Sequence, residues 1–206
     1  MTKILSAAGV PKDVLELIGP IIDTCRICRE WVKPEPRAQA SVHISGKHNE
    51  RVECDLLFHG KHVIFHMVDV CTRWHAAKLV PNKEAVTLCM AIDEIWLKFF
   101  GPMQELVVDG EGALSSENAT AWFDHHGIQR KPRAPNQHAP HIERRGALFR
   151  DQLKRTDGQL QKEGLSHDFT MVVAESVFAG NCMISVGNAT PYQAIFGCTP
   201  PVVTTT

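Results

Sequence analysis

The sequence has no feature that would place it in a membrane or a fibre. No apolar run among its 206 residues is long enough to span a bilayer, and the N-terminus has no apolar signal-peptide core. Neither charge sign dominates, because 22 lysines and arginines balance 23 aspartates and glutamates, which excludes a uniformly basic nucleic-acid coat. A hydrophobic content of 44% excludes disordered and collagen-like chains. We therefore expect a globular protein with no membrane partner.

A disulfide framework is also missing. The seven cysteines are an odd number, and several stand inside apolar runs, where a buried thiol acts as a small hydrophobe. This usage indicates a reducing compartment. Cys25 and Cys28 form the one close pair, with the spacing of half of a four-ligand zinc site. No histidine precedes His43 to complete such a site, and a redox Cys-x-x-Cys would need a βαβ context that is absent here.

The chain divides into a short N-terminal segment and one larger domain. Residues 1–30 carry a helical pattern, and residues 31–40 hold two prolines without periodicity. The boundary is therefore predicted near 33–40. We assign residues 1–35 to a partial N-terminal zinc module and linker, and residues 36–206 to the main domain.

The main domain alternates strand and helix patterns. Strands are predicted over residues 51–59, 62–70, 75–80, 104–109 and 127–131, and the first three form an antiparallel meander. Helices are predicted over residues 83–100, after a cap at Ser115 or Ser116, over 141–163 and over 166–186. This order predicts an α/β layered domain.

Three carboxylates stand where such a fold gathers ligands. Asp55 lies inside an apolar strand, Asp109 ends another strand, and Glu143 lies in the first turn of a long helix, at the rim of its buried stripe. Carboxylates placed in this way suit hard cations such as Mg²⁺. Taken singly, each acid is also explained as a strand-edge charge, a turn residue or a favourable charge at a helix N-terminus.

Taken in order, the motifs around these acids resemble the catalytic core of retroviral-type integrases, most closely that of copia-type LTR retrotransposons. Asp55 stands in Val-Glu-Cys-Asp-Leu, Asp109 in Leu-Val-Val-Asp-Gly, and Glu143 in His-Ile-Glu-Arg-Arg. Asp69, followed by Cys-Thr-Arg-Trp after one valine, resembles the family's second-strand signature. The C-terminal Ala-Thr-Pro-Tyr-Gln-Ala-Ile-Phe-Gly resembles the end of the family's core. The order and spacing together make the resemblance specific.

The resemblance implies a fold and a chemistry. The fold is a ribonuclease-H-like mixed five-stranded sheet flanked by helices. The chemistry is metal-dependent phosphoryl transfer on DNA, covering end processing and strand transfer, with Asp55, Asp109 and Glu143 holding two Mg²⁺ or Mn²⁺ ions. The implied partners are element ends, a target duplex and further copies of the chain, and the implied location is the nucleus. Zn²⁺ is implied only if residues upstream complete the module begun by Cys25 and Cys28.

Alternatives remain for the acids and for the function. Asp69 is a rival for Asp55, but it is better placed to end its strand and order the turn into Thr72; Glu111 is a weaker rival for Asp109. One alternative is a DNA-binding relic without turnover, which is supported by the missing zinc ligands and by residues 134–142, where the sequence departs from the family's usual loop before the glutamate. A ribonuclease H acting on RNA–DNA hybrids is the other alternative.

Positive charge is concentrated around Glu143. Residues 130–155 hold eight basic and two acidic residues, a net charge of +6 in a chain that carries −1 overall. Affinity for nucleic acid comes from lysine and arginine contacts to phosphates, so this window predicts the DNA path. The predicted contacts are Arg130, Lys131, Arg133, Arg144, Arg150 and Lys154.

Overall fold

The computed structural model describes residues 5–6, 8–25, 45–108, 112–133 and 139–200. The predicted domain boundary near 33–40 lies outside these ranges, as do Cys28, Asp109 and Glu111. The fold is therefore described for a short N-terminal segment and for the main domain.

The described strands form one mixed sheet in the order β3-β2-β1-β4-β5. Their bounds are β1 (Arg51–His59), β2 (His62–Asp69), β3 (His75–Val80), β4 (Glu105–Val108) and β5 (Gln129–Pro132). β2 runs antiparallel to both β1 and β3, whereas β4 and β5 run parallel to β1. Gly60, with φ 55°, begins the two-residue loop between β1 and β2, as tight hairpins favour. The predicted meander is confirmed.

In the main domain the helices alternate with the strands in the predicted order. Their bounds are α1 (Lys12–Glu16), α2 (Ile18–Thr24), α3 (Ala85–Ile92), a π-helical turn (Asp93–Leu97), α4 (Lys98–Phe100), α5 (Glu117–His125), α6 (Pro140–Lys162), α7 (Phe169–Met183) and α8 (Pro191–Phe196). Ser116 caps α5, because its hydroxyl accepts from the Ala119 N–H at 3.4 Å. A π turn inside the predicted helix 83–100 was not anticipated.

The core lies on both faces of the sheet. On one face the strands pack against α3 and α5 through a wholly apolar cluster that includes Trp96 and Phe123. On the other face they pack against α6 and α7 through a smaller cluster that includes Phe149 and Val172. Strand residues alternate between the two faces, so neighbouring positions on β1 belong to different clusters.

The N-terminal helices add little to this core. Val14, Leu17 and Ile21 of this segment are largely exposed. No described helix, here or in the main domain, has the length and apolarity needed to cross a membrane.

Candidate active site

Asp55 lies near the middle of β1, on the face that α6 covers. It pairs with His66 of β2 across the antiparallel register. Its side chain is 37% exposed, although Glu53 and Leu57, its neighbours on the same face of the strand, are buried. The Asp55 carboxylate is therefore accessible to solvent, although the residues around it on this face of the sheet are buried.

Glu143 reaches the same place from the first turn of α6. Its Oε1 accepts a hydrogen bond at 3.1 Å from the N–H of Ala139, the residue that precedes the helix. The side chain is 45% exposed, and the predicted buried stripe beside it is confirmed by full burial of Ile142, Phe149 and Leu153. Glu143 thus stands at the rim of the packed face, as predicted.

Arg133 joins the two acids. Its Nη2 lies 3.7 Å from Asp55 Oδ1, and its Nη1 lies 4.0 Å from Glu143 Oε1. The Arg133 side chain is only 14% exposed. Its backbone N–H donates to the Val108 carbonyl at 2.9 Å, which fixes the residue beside the last residue of β4. Two carboxylates that are far apart in sequence therefore share one cation.

The third predicted acid, Asp109, follows Val108 directly in the sequence. Asp109 lies outside the described residues, so the predicted set of three is represented here by Asp55 and Glu143. Among residues that the structure describes, no cluster of three acidic, histidine or cysteine side chains could hold a metal ion. The donor chemistry nevertheless fits a hard divalent cation, since carboxylate oxygens are its preferred ligands and two of them already gather round a guanidinium.

Solved structures share this architecture. The catalytic core domain of BIV integrase matches with a TM-score of 0.60 and 15% identity, covering 71% of this chain and 93% of that one. A chain in the simian T-cell lymphotropic virus intasome, solved in complex with PP2A regulatory subunit B56 gamma, matches with a TM-score of 0.66 and 14% identity. That match covers 93% of this chain and 73% of the other.

The fold is that of an integrase catalytic core. The predicted ribonuclease-H-like sheet is thereby confirmed. No protein-family model and no curated protein sequence matches the chain. The likeness consequently resides in the three-dimensional structure, and the copia-type resemblance remains a prediction from the motifs.

Glu53 is a buried acid on β1 that is not among the predicted site residues. It lies on β1 two residues before Asp55 and is 3% exposed. Its Oε2 accepts from the Ile142 N–H at 2.8 Å, so a strand carboxylate binds the N-terminus of α6. Burial raises the pKa of Glu53, against the opposing effect of this hydrogen bond and of Arg51. The signal for it was present, since strand alternation places Glu53 and Asp55 on one face.

Asp69 has the structural role that the sequence predicted. Its Oδ1 accepts from both the backbone N–H and the hydroxyl of Thr72, at 2.6 and 2.8 Å, and its Oδ2 accepts from the Asn49 N–H at 2.9 Å. The side chain is fully buried. Asp69 therefore orders the turn after β2, and its carboxylate is already engaged by three donors.

A buried polar cluster lies beneath α6, next to the candidate site. His75 Nε2 and His66 Nδ1 are 3.3 Å apart, and Arg145 donates to Asn181 Oδ1 at 3.1 Å and to the Gly180 carbonyl at 3.3 Å. Burial lowers the pKa of His66 to about 3, helped by Arg150 and Arg145, and it also lowers the pKa of His75. Both imidazoles are therefore neutral near pH 7.

The predicted DNA contacts do not share one surface. Arg130 and Lys131 are adjacent on β5 and point to opposite faces, where Arg130 donates to the Leu114 carbonyl at 2.8 Å and Lys131 lies 3.6 Å from Glu105. Arg144 and Arg150 are exposed on α6, and Lys154 is half-buried on the same helix. The α6 residues therefore form the stretch of the basic window that best suits a duplex.

The candidate zinc half-site is represented by Cys25 alone. Cys25 follows α2 and is partly exposed, whereas Cys28 lies outside the described residues. The proposal of a zinc module therefore continues to rest on the sequence spacing.

Proposed function

We propose that the chain is a metal-dependent polynucleotidyl transferase of the integrase type, which processes DNA ends and joins them to a target duplex. The observation that carries the proposal is the convergence of Asp55 and Glu143 on one cation, at the edge where β4 leads into Asp109. The integrase-core fold supports it, because its active acids are expected on the first strand, after the fourth strand and at the start of this helix. An LTR retrotransposon is the origin that the sequence motifs favour.

In this proposal Asp55, Asp109 and Glu143 hold two Mg²⁺ or Mn²⁺ ions. Such ions, when bound, stabilise the attacking and leaving oxygens of a phosphodiester displacement. Asp55 contributes a carboxylate from a rigid strand, and Glu143 contributes one from a helix whose N-terminus Glu53 binds. The sheet thereby fixes the spacing of the ligands before substrate arrives.

The proposed partners are DNA and further copies of the chain. The exposed arginines of α6, Arg144 and Arg150, begin beside Glu143, so a duplex at the acids would continue along this helix. Phosphate contacts of this kind position DNA without reading its sequence. The similar simian viral chain comes from an intasome, which supports assembly on DNA. Action on chromosomal DNA would place the protein in the nucleus.

A strand-transfer assay on the full chain tests the proposal. Labelled duplex ends are incubated with a plasmid target and Mg²⁺ or Mn²⁺. Asp55→Asn, Asp109→Asn and Glu143→Gln should each reduce joined product to background, because each removes a charged ligand. Asp124→Asn and Glu175→Gln, which alter exposed acids on α5 and α7, serve as matched controls and should join DNA as the parent does.

The other outcomes identify the rival functions. DNA binding without joining by the parent chain indicates a DNA-binding relic of the fold. Cleavage of an RNA–DNA hybrid, without joining of duplex ends, indicates a ribonuclease H. Joining that persists in Asp55→Asn or Glu143→Gln contradicts the assignment of that residue.

A further inference from the structure

We propose that Arg133 is an internal counterion latch: its guanidinium holds Asp55 and Glu143 together in the metal-free chain and must leave before these carboxylates bind a divalent ion. This inference rests on the proposed function, since it concerns the same acids. It adds a residue that controls metal loading.

The latch is fixed by the sheet. Arg133 directly follows β5, and its N–H bonds to the carbonyl of Val108 at 2.9 Å. From this anchor the guanidinium spans the space between β1 and α6, where its two terminal nitrogens lie 3.7 and 4.0 Å from the two acids. The side chain is only 14% exposed, so most of it is enclosed by the protein, and its terminal nitrogens face both acids.

A guanidinium at this position competes with a metal ion. Mg²⁺ binds carboxylate oxygens at about 2.0–2.1 Å and requires near-octahedral geometry. Arg133 lies within ion-pair distance of the same oxygens, and a second cation between them would be repelled by its charge.

Glu143 is restrained by the same contact. Its Oε1 faces Arg133 Nη1 and also accepts from the Ala139 N–H at 3.1 Å. The carboxylate is therefore folded back toward the start of α6 while Arg133 is in place. Departure of the guanidinium removes a contact that holds Oε1 there, so metal binding and rotation of Glu143 are coupled.

The experiment measures Mn²⁺ affinity of the full chain without DNA, by calorimetry, for the parent and Arg133→Gln. The variant should bind Mn²⁺ at least about tenfold more tightly, because one competing charge at ion-pair distance is removed. Arg51→Gln is the matched control: it removes an arginine of the same sheet that pairs with Glu105 at 3.2 Å, and its affinity should stay close to that of the parent.

A second measurement uses the unaltered chain, so it does not depend on the variant folding. In a Mg²⁺ titration followed by nuclear magnetic resonance, the Nε–H signal of Arg133 should shift in step with ion binding. Unchanged or weaker Mn²⁺ affinity in folded Arg133→Gln overturns the latch, and so does an Arg133 signal that ignores bound Mg²⁺.

The latch and the proposed function fail separately. Tighter Mn²⁺ binding by Arg133→Gln, lost again on adding Asp55→Asn, supports the latch even if no DNA is joined, in which case the proposed function alone is wrong. DNA joining by a parent whose Mn²⁺ affinity does not respond to Arg133→Gln overturns the latch alone.

Discussion

The two faces of the sheet are built from different chemistry. The face toward α3 and α5 buries an apolar cluster that includes Trp96, and its buried carboxylate, Asp69, lies at the end of β2. The face toward α6 and α7 buries Glu53, His66, His75 and Arg145 beside its aliphatic side chains. Both faces contribute apolar burial to the stability of the fold, but the second face also holds Asp55 and, at its rim, Glu143, two acids of the proposed chemistry.

The polar face is held by hydrogen bonds among some of its own groups, although His75 Nδ1 and Arg145 Nε are buried without a hydrogen-bond partner among the residues that the structure describes. Asn181 accepts from the His75 N–H at 3.0 Å and donates to the His75 carbonyl at 2.8 Å, while it also accepts from Arg145. Gly180 makes room for this arrangement, since a Cβ there would lie 2.5 Å from Arg145 Nη2. Burial lowers the pKa of Arg145 to about 10, yet leaves it protonated near neutrality. The second face is therefore the one that should respond to pH.

The largest effect is expected on the apolar face. Trp96→Ala should lower the free energy of unfolding by about 3–5 kcal/mol, because it leaves a cavity in the core. It also removes the indole donor to Asn49 Oδ1, a bond of 2.8 Å. Urea unfolding measures the change. Phe99→Ala, three residues on and 73% exposed, is the control and should change stability by no more than about 0.5 kcal/mol.

Acid should weaken the polar face selectively. The pKa of His66 in the folded chain, about 3, lies below its ordinary value of 6.5, so the unfolded chain binds more protons between these limits. The contribution of His66 to the free energy of unfolding is therefore fully present above pH 6.5. It falls by up to about 1.4 kcal/mol per pH unit as the pH drops from 6.5 toward 3. Unfolding at pH 6.5, 6 and 5 should show a shallower pH slope in His66→Asn than in the parent. The exposed His125→Asn should keep the parent slope, and an unchanged slope in His66→Asn would contradict the assignment.

Glu53 should act mainly by positioning α6. Glu53→Ala leaves the Ile142 N–H without its acceptor and should cost about 1–3 kcal/mol of stability. Glu53→Gln keeps an acceptor oxygen and should cost less. If Glu53 positions Glu143, Glu53→Ala should also lower the rate of DNA joining at saturating DNA, with rescue by Glu53→Gln. Equal joining rates in the two variants would leave Glu53 a role in stability alone.

The smallest effect on stability is expected on the outer side of α6. Arg150→Ala with Lys154→Ala should leave unfolding nearly unchanged, but should make the salt dependence of DNA affinity shallower by about one to two units. The loss should be similar for all DNA sequences. Lys83→Ala with Lys98→Ala, on the opposite side of the sheet, provides the control. Equal slopes for both pairs would mean that the DNA path does not follow α6.

Much of the fold was predictable because its local patterns are strong. The alternation along β1 and the short run of β3 predict their observed bounds, and the stripe Ile142, Gly146, Phe149 and Leu153 predicts the buried side of α6. The periodicity before Phe100 was misleading in part, since Val86 and Met90 are exposed. Sequence periodicity records which residues are apolar and not which of them face the core, and these two lie on the outer side of α3, before the π turn begins.

The candidate site was predictable only in its acids. Asp55 and Glu143 stand in recognisable motifs, but the position of Arg133 between them depends on β4, β5 and the start of α6 coming together. The position of Arg145 likewise depends on contacts between elements that are distant in sequence. This residue lies on the buried side of α6, where its charge predicts exposure, and it is accommodated by Gly180 of another helix. Such pairings over long sequence distances leave no local pattern to read.

The π-helical turn at Asp93–Leu97 sets the rotational phase of the helix in which it lies. Buried Leu88, Ile92 and Trp96 recur at every fourth residue, although four residues of an ideal α-helix overshoot a full turn by about 40°. The π turn has more residues per turn than an α-helix, so it offsets this overshoot and keeps Trp96 on the same side of the helix as Leu88. Removing one residue from this turn would rotate the helical residues that follow it, Lys98–Phe100, by about 100° relative to the sheet. A deletion in this helix therefore changes which side chains face the sheet far more than it changes the length of the helix.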